Sequence, residues 1–343
     1  THRDVGTMGS WNKTSQSQKL EQPGDVIDAT AKEFSEINQF ISDSFHEGKN
    51  SVRITNVAGQ RYIGIGLVAK GAESFKIELE GFPGNCLANL NDGACLEVFG
   101  NVGDDLADTM HSGSVVVHGS ARDVVGQALQ GGNIFIRGSV GNRAAIQMRE
   151  YLDNRPFLII GESADDYLGE YMAGGVVAIL NLSEERRPVG RFVGTGMVGG
   201  TIFIRGKIDE SQLGLPPKRS DILNYLKADL LDGVISNEAF EKIADLSFPT
   251  EERLMELLPM PVFKRVRTLY FRSKYTKPLS RECRKLNASE IADLKSKLEE
   301  FFNAFRLPQE KLAKVLASDF TIIRTTEEEK ETPLPPQEVP VEE

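Results

Sequence analysis

The chain has 343 residues, of which 40% are hydrophobic and 26% charged, and its formal net charge is −10 at pH 7. This composition is ordinary for a globular protein with one large domain and attachments, and the negative charge argues against a general nucleic-acid binder. The three cysteines form no CxxC pair, which favours reduced thiols in the cytoplasm over a disulfide framework. The sequence contains no run of 18 apolar residues, so no membrane span is predicted. The N-terminus lacks the apolar core of a signal peptide.

Residues 1–50 are predicted to form a polar, flexible arm followed by one amphipathic helix. Thr30 followed by Glu33 is a capping-box pattern, and the apolar residues after it recur at spacings of three and four. These apolar residues are Phe34, Ile37, Ile41 and Phe45, and Gly48 follows them as a helix terminator. The pattern predicts a helix over residues 31–47. We expect it to cover the open end of the structure that follows rather than to bind a separate partner.

Residues 51–208 contain a repeat. Its glycines are Gly81, Gly100, Gly119 and Gly138, spaced by 19, then Gly161 and Gly206, with Asn181 in the equivalent place between them. The aliphatics two positions earlier are Leu79, Val98, Val117, Ile136, Ile159, Ile179 and Ile204. The apolar residues four positions earlier are Ile77, Leu96, Val115, Ile134, Phe157, Val177 and Ile202.

A period near 20 with one alternating apolar run per copy is typical of stacked solenoid turns. Parallel stacking and the usual crossover handedness predict a mainly β fold, a right-handed parallel β-helix of about seven to eight rungs. Val52 and Ile54 would begin the eighth rung. The recurring glycine is expected at a corner with positive φ or close backbone approach. The repeat has insertions within residues 143–155 and 184–190. We expect these longer loops on one surface of the solenoid, where they contact partners.

Residues 209–325 are predicted to be a helical extension, and Asn287 with Glu290 is the capping pattern that begins its clearest helix. Near its end, residues 320–323 are predicted to be a strand or extended segment. Residues 326–343 carry seven acids, Lys330 and four prolines, which predicts a disordered tail.

Residues 262–285 hold nine Lys or Arg against Glu282, with four aromatic residues between them. Three interpretations stay open for this segment. It could dock on an acidic partner subunit, neutralise acids of its own chain, or bind single-stranded nucleic acid by stacking and phosphate contacts.

Several stretches of the repeat resemble the third structural domain of the large subunit of glutamate synthase, a family named for its Gly-X-Gly-X-Gly motif. The matching stretches are 58–60 (AGQ), 75–81, 169–177 (GEYMAGGVV), 190–192 (GRF) and 194–200 (GTGMVGG), and more loosely the helical tail 291–320. Residues 207–285 have no counterpart in that family. Similar rungs occur in the β-helix subunit of formylmethanofuran dehydrogenase and in the middle subunit of N-methylglutamate synthase.

In the glutamate synthase family this domain is architectural, and it lies between a glutaminase domain and a barrel that carries a flavin and an iron–sulfur cluster. The resemblance therefore implies a non-catalytic structural subunit of a glutamate-synthase-like complex, with glutaminase-type and synthase-type subunits as partners. FMN and the cluster are expected in a partner subunit and no cofactor in this chain. The partner-contact candidates are Glu170, Tyr171, Met172, Arg191 and Phe192. The alternatives are a subunit of a formylmethanofuran dehydrogenase-type molybdenum or tungsten oxidoreductase, and a free-standing scaffold or binding protein.

The residues themselves give little indication of catalysis. A class II glutaminase requires an N-terminal cysteine, whereas this chain begins with Thr1 and Cys86 is internal. An iron–sulfur cluster needs several closely placed thiolates, whereas Cys86 and Cys95 are nine residues apart and Cys283 lies in another region. Cys86 and Cys95 are therefore interpreted as small buried residues. Residues 194–199 match GxGxxG, but the β-branched run after them predicts a strand instead of the helix that a dinucleotide site needs.

Two polar clusters complete the sequence-based candidates. His111 and His118 are seven residues apart with Asp104, Asp105 and Asp108 nearby, which suggests a metal site only if three or four ligands converge. Surface or corner positions are the simpler interpretation for both histidines. The acids near Glu170 (Asp165 and Asp166) and the pair at 104–105 are interpreted as solvated turns.

Overall fold

The computed structural model describes residues 25–69, 75–214, 219–246, 249–271 and 279–325. The arm predicted for residues 1–25 lies outside this part except for its last residue, and the tail predicted for 326–343 lies outside it entirely. In the described part, no helix is both long enough and apolar enough to cross a membrane.

The described residues form one eleven-stranded, mostly parallel sheet with seven α-helices. The strands are β1 (Asp25–Asp28), β2 (Ser51–Ala58), β3 (Lys76–Phe82), β4 (Asp92–Phe99), β5 (Ser112–Val117), β6 (Asn133–Ile136), β7 (Phe157–Ile160), β8 (Ala173–Ile179), β9 (Gly199–Arg205), β10 (Leu279–Lys285) and β11 (Asp319–Thr325). The helices are α1 (Phe34–His46), α2 (Arg219–Leu231), α3 (Asn237–Asp245), α4 (Glu251–Leu257), α5 (Met260–Tyr270), α6 (Ala288–Ala304) and α7 (Gln309–Leu316).

Strands β1 to β9 pair in sequence order and in parallel, and for β2 to β9 the repeat predicts this arrangement. The aligned register runs Val52, Ile77, Leu96, Val115, Ile134, Leu158, Val177 and Ile202. The sequence alignment is wrong by one residue at β7, because Leu158 pairs with Ile134 and Phe157 with Asn133. All four residues of β7 are buried, so an alternating apolar pattern cannot define which of them faces which side.

The recurring glycine is required by close backbone approach more than by a positive φ. A Cβ atom on Gly100 would lie 2.0 Å from the carbonyl oxygen of Gly81, and one on Gly161 would lie 2.2 Å from that of Arg137. Of these three glycines only Gly81 has a positive φ, +120°. At Gly100 and Gly161 the stack of strands therefore brings the corner onto the backbone of the preceding repeat, where no side chain fits.

One face of the sheet packs against the turn segments of its own repeats and forms the larger apolar core. The opposite face is charged on β3 and becomes apolar on β7 and β8, where α6 and α7 cover it. Phe157, Ile159 and Val176 on this face pack in one cluster with Leu298 and Phe301 of α6. Continuous apolar runs such as residues 157–160 fit this burial on both faces.

The two ends of the sheet differ from the prediction. Helix α1 begins at Phe34 with Glu33 as its N-cap and Glu36 completing the capping box, so the Thr30–Glu33 assignment is wrong. Residues 25–28, expected to precede the helix without regular structure, form the edge strand β1. At the other end, β11 confirms the strand or extended segment predicted at residues 320–323. Strand β10 was not predicted within the helical extension, and β11 pairs antiparallel with both β9 and β10.

Candidate functional site

A row of turns runs along the side of the repeats opposite the strands. Each turn has positive φ at alternate residues. We call the surface formed by these turns the turn face. The first such residue of each turn is Tyr62, Cys86, Asp105, Val124, Arg143, Tyr167 or Phe192, and the second and third follow two and four positions later. A left-handed conformation costs an ordinary residue roughly 1–2 kcal/mol, so neighbouring repeats must impose it.

Backbone hydrogen bonds between repeats supply that constraint. Asp105 and Thr109 donate their N–H groups forward, to carbonyl oxygens in the next repeat at 2.9 and 2.8 Å. Ala107, between them, donates backward to the carbonyl oxygen of Leu87 at 2.8 Å. The alternation of φ turns successive N–H groups to opposite sides, so each turn is hydrogen-bonded to both neighbours. Gly64 and Gly66 occupy the second and third positions of the first turn. The Gly-x-Gly spacing matches the alternate positions with positive φ, which glycine adopts readily.

Cations and aromatic rings form a ladder on the turn face, in its last three repeats. The Arg143 guanidinium lies 4.8 Å from the ring centroid of Tyr167, and that ring stacks on Phe192 with centroids 4.7 Å apart. The guanidinium of Arg191 lies 5.6 Å from the centroid of Phe192. Such cation–π and stacking contacts hold the side chains in fixed positions. The sequence-based candidates include neither Arg143 nor Tyr167, although their place in the turn repeat could have identified both.

The five partner-contact candidates occupy different environments at this ladder. Tyr171 is 54% exposed, and Arg191 is also exposed, whereas Phe192 is half-buried. Met172 is fully buried in the larger apolar core. The structure therefore leaves Tyr171, Arg191 and part of Phe192 accessible at the surface and Met172 inside.

Glu170 is not a solvated turn residue, which corrects the sequence interpretation, whereas Asp166 is half-buried in its turn. Glu170 is buried, and its carboxylate accepts a hydrogen bond from Nε of Arg143 at 2.9 Å. Asp166 accepts a hydrogen bond at 2.7 Å from the backbone N–H of Arg191. Asp104 has the same role between earlier repeats, since it accepts from the backbone N–H of Asp123 at 3.2 Å. These acids hold adjacent turns together.

The two histidines of the candidate metal cluster have other surroundings. Nε2 of His118 lies 2.9 Å from Oε1 of Glu97, and its ring stacks on Phe99 at 4.7 Å. The hydrogen bond from His118 makes the largest contribution to lowering the pKa of Glu97 from 4.5 to about 2. The hydrogen bond from Lys76 contributes less, and burial opposes the shift. Across the described residues, no group of three His, Cys, Asp or Glu side chains converges as metal ligands.

The cysteines are also separate from one another. Cys86 is buried, as predicted, and its thiol donates to Oδ2 of Asp105 at 3.2 Å. Burial, with a contribution from Asp105, raises the pKa of this thiol, which makes it a poor nucleophile. Cys95 is half-buried rather than buried, and Cys283 is exposed.

The basic and aromatic segment 262–285 divides between α5 and β10, with 272–278 outside the described residues. Four of its described cations contact acids of the same chain, and Arg281 donates to the carbonyl oxygen of Ile208 at 3.0 Å. The pairs are Arg265 with Asp229, Arg267 with Glu251, Arg284 with Glu290 and Lys285 with Asp319. Of the three interpretations, this arrangement favours neutralisation of the chain's own acids.

Two comparisons with known proteins fit this architecture. The sequence model of the GXGXG motif family matches residues 35–216, which include all but the first residue of α1, strands β2 to β9 and the turn face. An uncharacterized protein of Methanocaldococcus jannaschii is 46% identical over 211 residues, which are 60% of this chain and 78% of that protein.

Proposed function

Because the chain belongs to the GXGXG motif family, we propose that it is a non-catalytic structural subunit of a glutamate-synthase-like complex. In this proposal the stacked repeats form a right-handed parallel β-helix that holds glutaminase-type and synthase-type subunits at a fixed separation for ammonia transfer. FMN and the iron–sulfur cluster belong to the synthase-type partner, and the assembly is cytoplasmic. Coupled active sites depend on such positioning.

The observation that carries the proposal is the rigid, partly exposed ladder on the turn face. Arginine and tyrosine are the residue types that contribute most to protein interfaces. Here Arg191 and Tyr171 are exposed, Arg191 lies over the ring of Phe192, and that ring stacks on Tyr167. The side chains lose little further freedom on binding because the stack and the ion pair from Arg143 to Glu170 already fix the surface.

The supporting network is structural in kind. Polar side chains that could take part in chemistry, such as Asp104, Asp166 and Glu170, are bonded between adjacent repeats. The backbone N–H groups of the turns are likewise directed at neighbouring repeats. A surface built in this way keeps its shape when a partner binds, which suits a spacer between two enzymes.

The test is reconstitution with the glutaminase-type and synthase-type chains of the same organism. We expect the untagged full-length chain to co-elute with both, and glutamine-dependent glutamate formation to require it. The double variant Tyr171→Ala, Arg191→Ala should weaken assembly about tenfold or more, as for loss of interface anchors. The control is Phe82→Ala with Lys49→Ala, an exposed aromatic and a cation away from the turn face. Elution of the wild-type chain alone, or equal assembly of both double variants, contradicts the proposal.

A further inference from the structure

Strand β11 ends next to the last turn of the turn face. A Cβ atom on Gly194 in that turn would lie 3.9 Å from Cγ2 of Ile323 in β11, and one on Gly196 would lie 2.4 Å from Cδ1 of Tyr171. The β11 strand and the exposed Tyr171 ring therefore both pack against the same short turn. The described chain stops at Thr325, two residues beyond Ile323, so it leaves the sheet close to the ladder.

The sequence that continues from this point is acidic. Residues 326–343 are 18 residues long and carry seven acids against Lys330. The acids nearest to β11 are Glu327, Glu328, Glu329 and Glu331. An extended chain covers about 3.3 Å per residue, so six residues span roughly 20 Å. Neighbouring strands of a sheet are about 4.8 Å apart, and this span is therefore enough to cross the three repeats of the ladder.

The ladder places its cations outside its acids. Nε of Arg143 donates to Glu170 at 2.9 Å, but neither Nη group of Arg143 is hydrogen-bonded to a described residue. Nη2 of Arg191 lies 3.7 Å from the carboxylate of Asp166, beyond hydrogen-bonding distance. The two arginine side chains are 47% and 58% exposed, whereas those of Glu170 and Asp166 are 10% and 31% exposed, and Asp165 is half-buried. The ladder therefore presents guanidinium groups outwards, with donors available to a carboxylate.

The loop after the turn of Arg143 does not change this balance of charge. Its Glu150 is paired with Arg155 at 3.4 Å. Arg149 and Asp153 are both exposed, one cation and one acid that offset each other. The two arginines of the ladder remain as the outermost charges near the end of β11.

We propose that the acidic residues at 327–331 bind the ladder of their own chain, with carboxylates on the Nη groups of Arg143 and Arg191 and the backbone against the ring of Tyr171. Guanidinium groups bind carboxylates through paired, charge-assisted hydrogen bonds. A segment tethered to the same chain acts at a high effective concentration, whereas a second copy would bring together two chains of net charge −10. This cover goes beyond the proposed function. Only its consequence, that a partner subunit has to displace the segment, rests on that function.

The test uses the full-length chain and a fluorescein-labelled peptide of residues 326–343. The tail variant combines Glu327→Gln, Glu328→Gln, Glu329→Gln and Glu331→Gln, which removes the acids that would occupy the ladder. Fluorescence anisotropy should show that the tail variant binds the peptide about tenfold or more tightly than wild type, because the wild-type ladder is already covered. Added salt should weaken this binding.

Further substitutions, each made in the tail variant, locate the binding surface. Arg143→Gln with Arg191→Gln should weaken peptide binding about tenfold or more. Arg191→Gln alone, which keeps the bond from Arg143 to Glu170, should weaken binding as well. The matched control is Lys49→Gln with Arg61→Gln, two exposed cations at the first repeat, where Arg61 also lies over an aromatic ring. This control should bind like the tail variant.

Three results would overturn the proposal. The first is equal peptide affinity of wild type and the tail variant. The second is equal affinity of the ladder pair and the control pair. The third is a wild-type dimer in sedimentation velocity that the tail variant disperses, since the segment would then bind a second copy. These measurements contain no partner subunit, so they can fail while reconstitution with the glutaminase-type and synthase-type chains succeeds, and the reverse.

Discussion

The side-chain oxygen of Asn38 accepts a hydrogen bond from the backbone N–H of Gly64, and its amide nitrogen donates to the carbonyl oxygen of Tyr62, both at 2.8 Å. In the next repeat the equivalent N–H, that of Ala88, donates to the carbonyl oxygen of Ile63 at 2.9 Å. Gly64 belongs to the first turn, so no earlier turn can accept its N–H. The amide of Asn38 in α1 takes the place of the missing peptide group.

Replacement of Asn38 by alanine should leave these two backbone groups without their partner. Loss of a partner for a buried polar group costs about 1–3 kcal/mol, and we expect a decrease of this size in the free energy of unfolding measured with urea. Gln39→Ala is the control, because Gln39 bonds only the exposed Asp43 on the same helix. Equal stability of the two variants would show that the contact contributes nothing to the end of the stack.

A second prediction concerns the column of corner glycines. Gly100→Ala places a methyl group 2.0 Å from the carbonyl oxygen of Gly81, so the backbones of two repeats must move apart. We expect a loss of about 4 kcal/mol or more, at the extreme of single-substitution effects. Gly48→Ala is the control, since Gly48 has φ +79° and open space around it and should lose only about 1–2 kcal/mol. Thermal unfolding followed by circular dichroism distinguishes the two.

The strands were predictable because two periods coincide in the sequence. Ile77, Leu96 and Val115 recur with the repeat, and in β3 and β4 the apolar residues alternate with charged ones, so both the stacking and the buried face are defined. The prediction was wrong at Phe157 and Ile159, which lie on the opposite face against α6. Helix α6 covers that face. Its contacts with β7 join residues more than 100 positions apart in the chain, so no local pattern in the sequence indicates them.

The turn face was harder to predict from sequence. Ala88, Ala107 and Ala145 adopt a left-handed conformation that alanine does not favour on its own. Bonds to adjacent repeats impose this conformation, so it has no local signal at these residues. The Gly64-Ile65-Gly66 and Gly194-Thr195-Gly196 triplets were the available signs, because glycine accepts positive φ at little cost.

A third prediction concerns pH and the buried Glu290 at the start of α6. Its side chain is 3% exposed, and hydrogen bonds from Arg284, the backbone of Asn287 and Arg324 lower its pKa from 4.5 to about 2. A lowered folded-state pKa means that the stabilisation is present above pH 4.5 and is lost as pH falls towards 2. A shift of this size corresponds to roughly 3 kcal/mol.

Glu290→Gln should therefore lower the free energy of unfolding by up to about 3 kcal/mol at pH 7, with the difference from wild type narrowing between pH 5 and pH 3. Urea unfolding at several pH values in this range measures the effect. Glu282→Gln is the control, because Glu282 also bonds Arg284 but is 59% exposed, and such pairs contribute about 1 kcal/mol or less. A constant difference across the pH series would mean that ionisation of Glu290 does not stabilise the fold.

The last prediction distinguishes the three thiols by their reactivity. Cys283 lies exposed on the edge strand β10, whereas Cys86 is buried and its pKa is raised by burial and by Asp105. Because the thiolate is the reactive form, a maleimide reagent at pH 7 should label Cys283 first and Cys86 last in the native protein. Mass spectrometry of digested protein identifies the labelled residue at each time.

Two variants make this labelling experiment specific. Cys283→Ser should remove the fast phase and leave the rates at Cys86 and Cys95 unchanged. Asp105→Asn removes the nearby negative charge that opposes thiolate formation, so it should accelerate labelling of Cys86 while burial still keeps that thiol slower than Cys283. If Cys86 in the folded wild-type protein reacts as fast as Cys283, its side chain is not buried between the first turns of the stack.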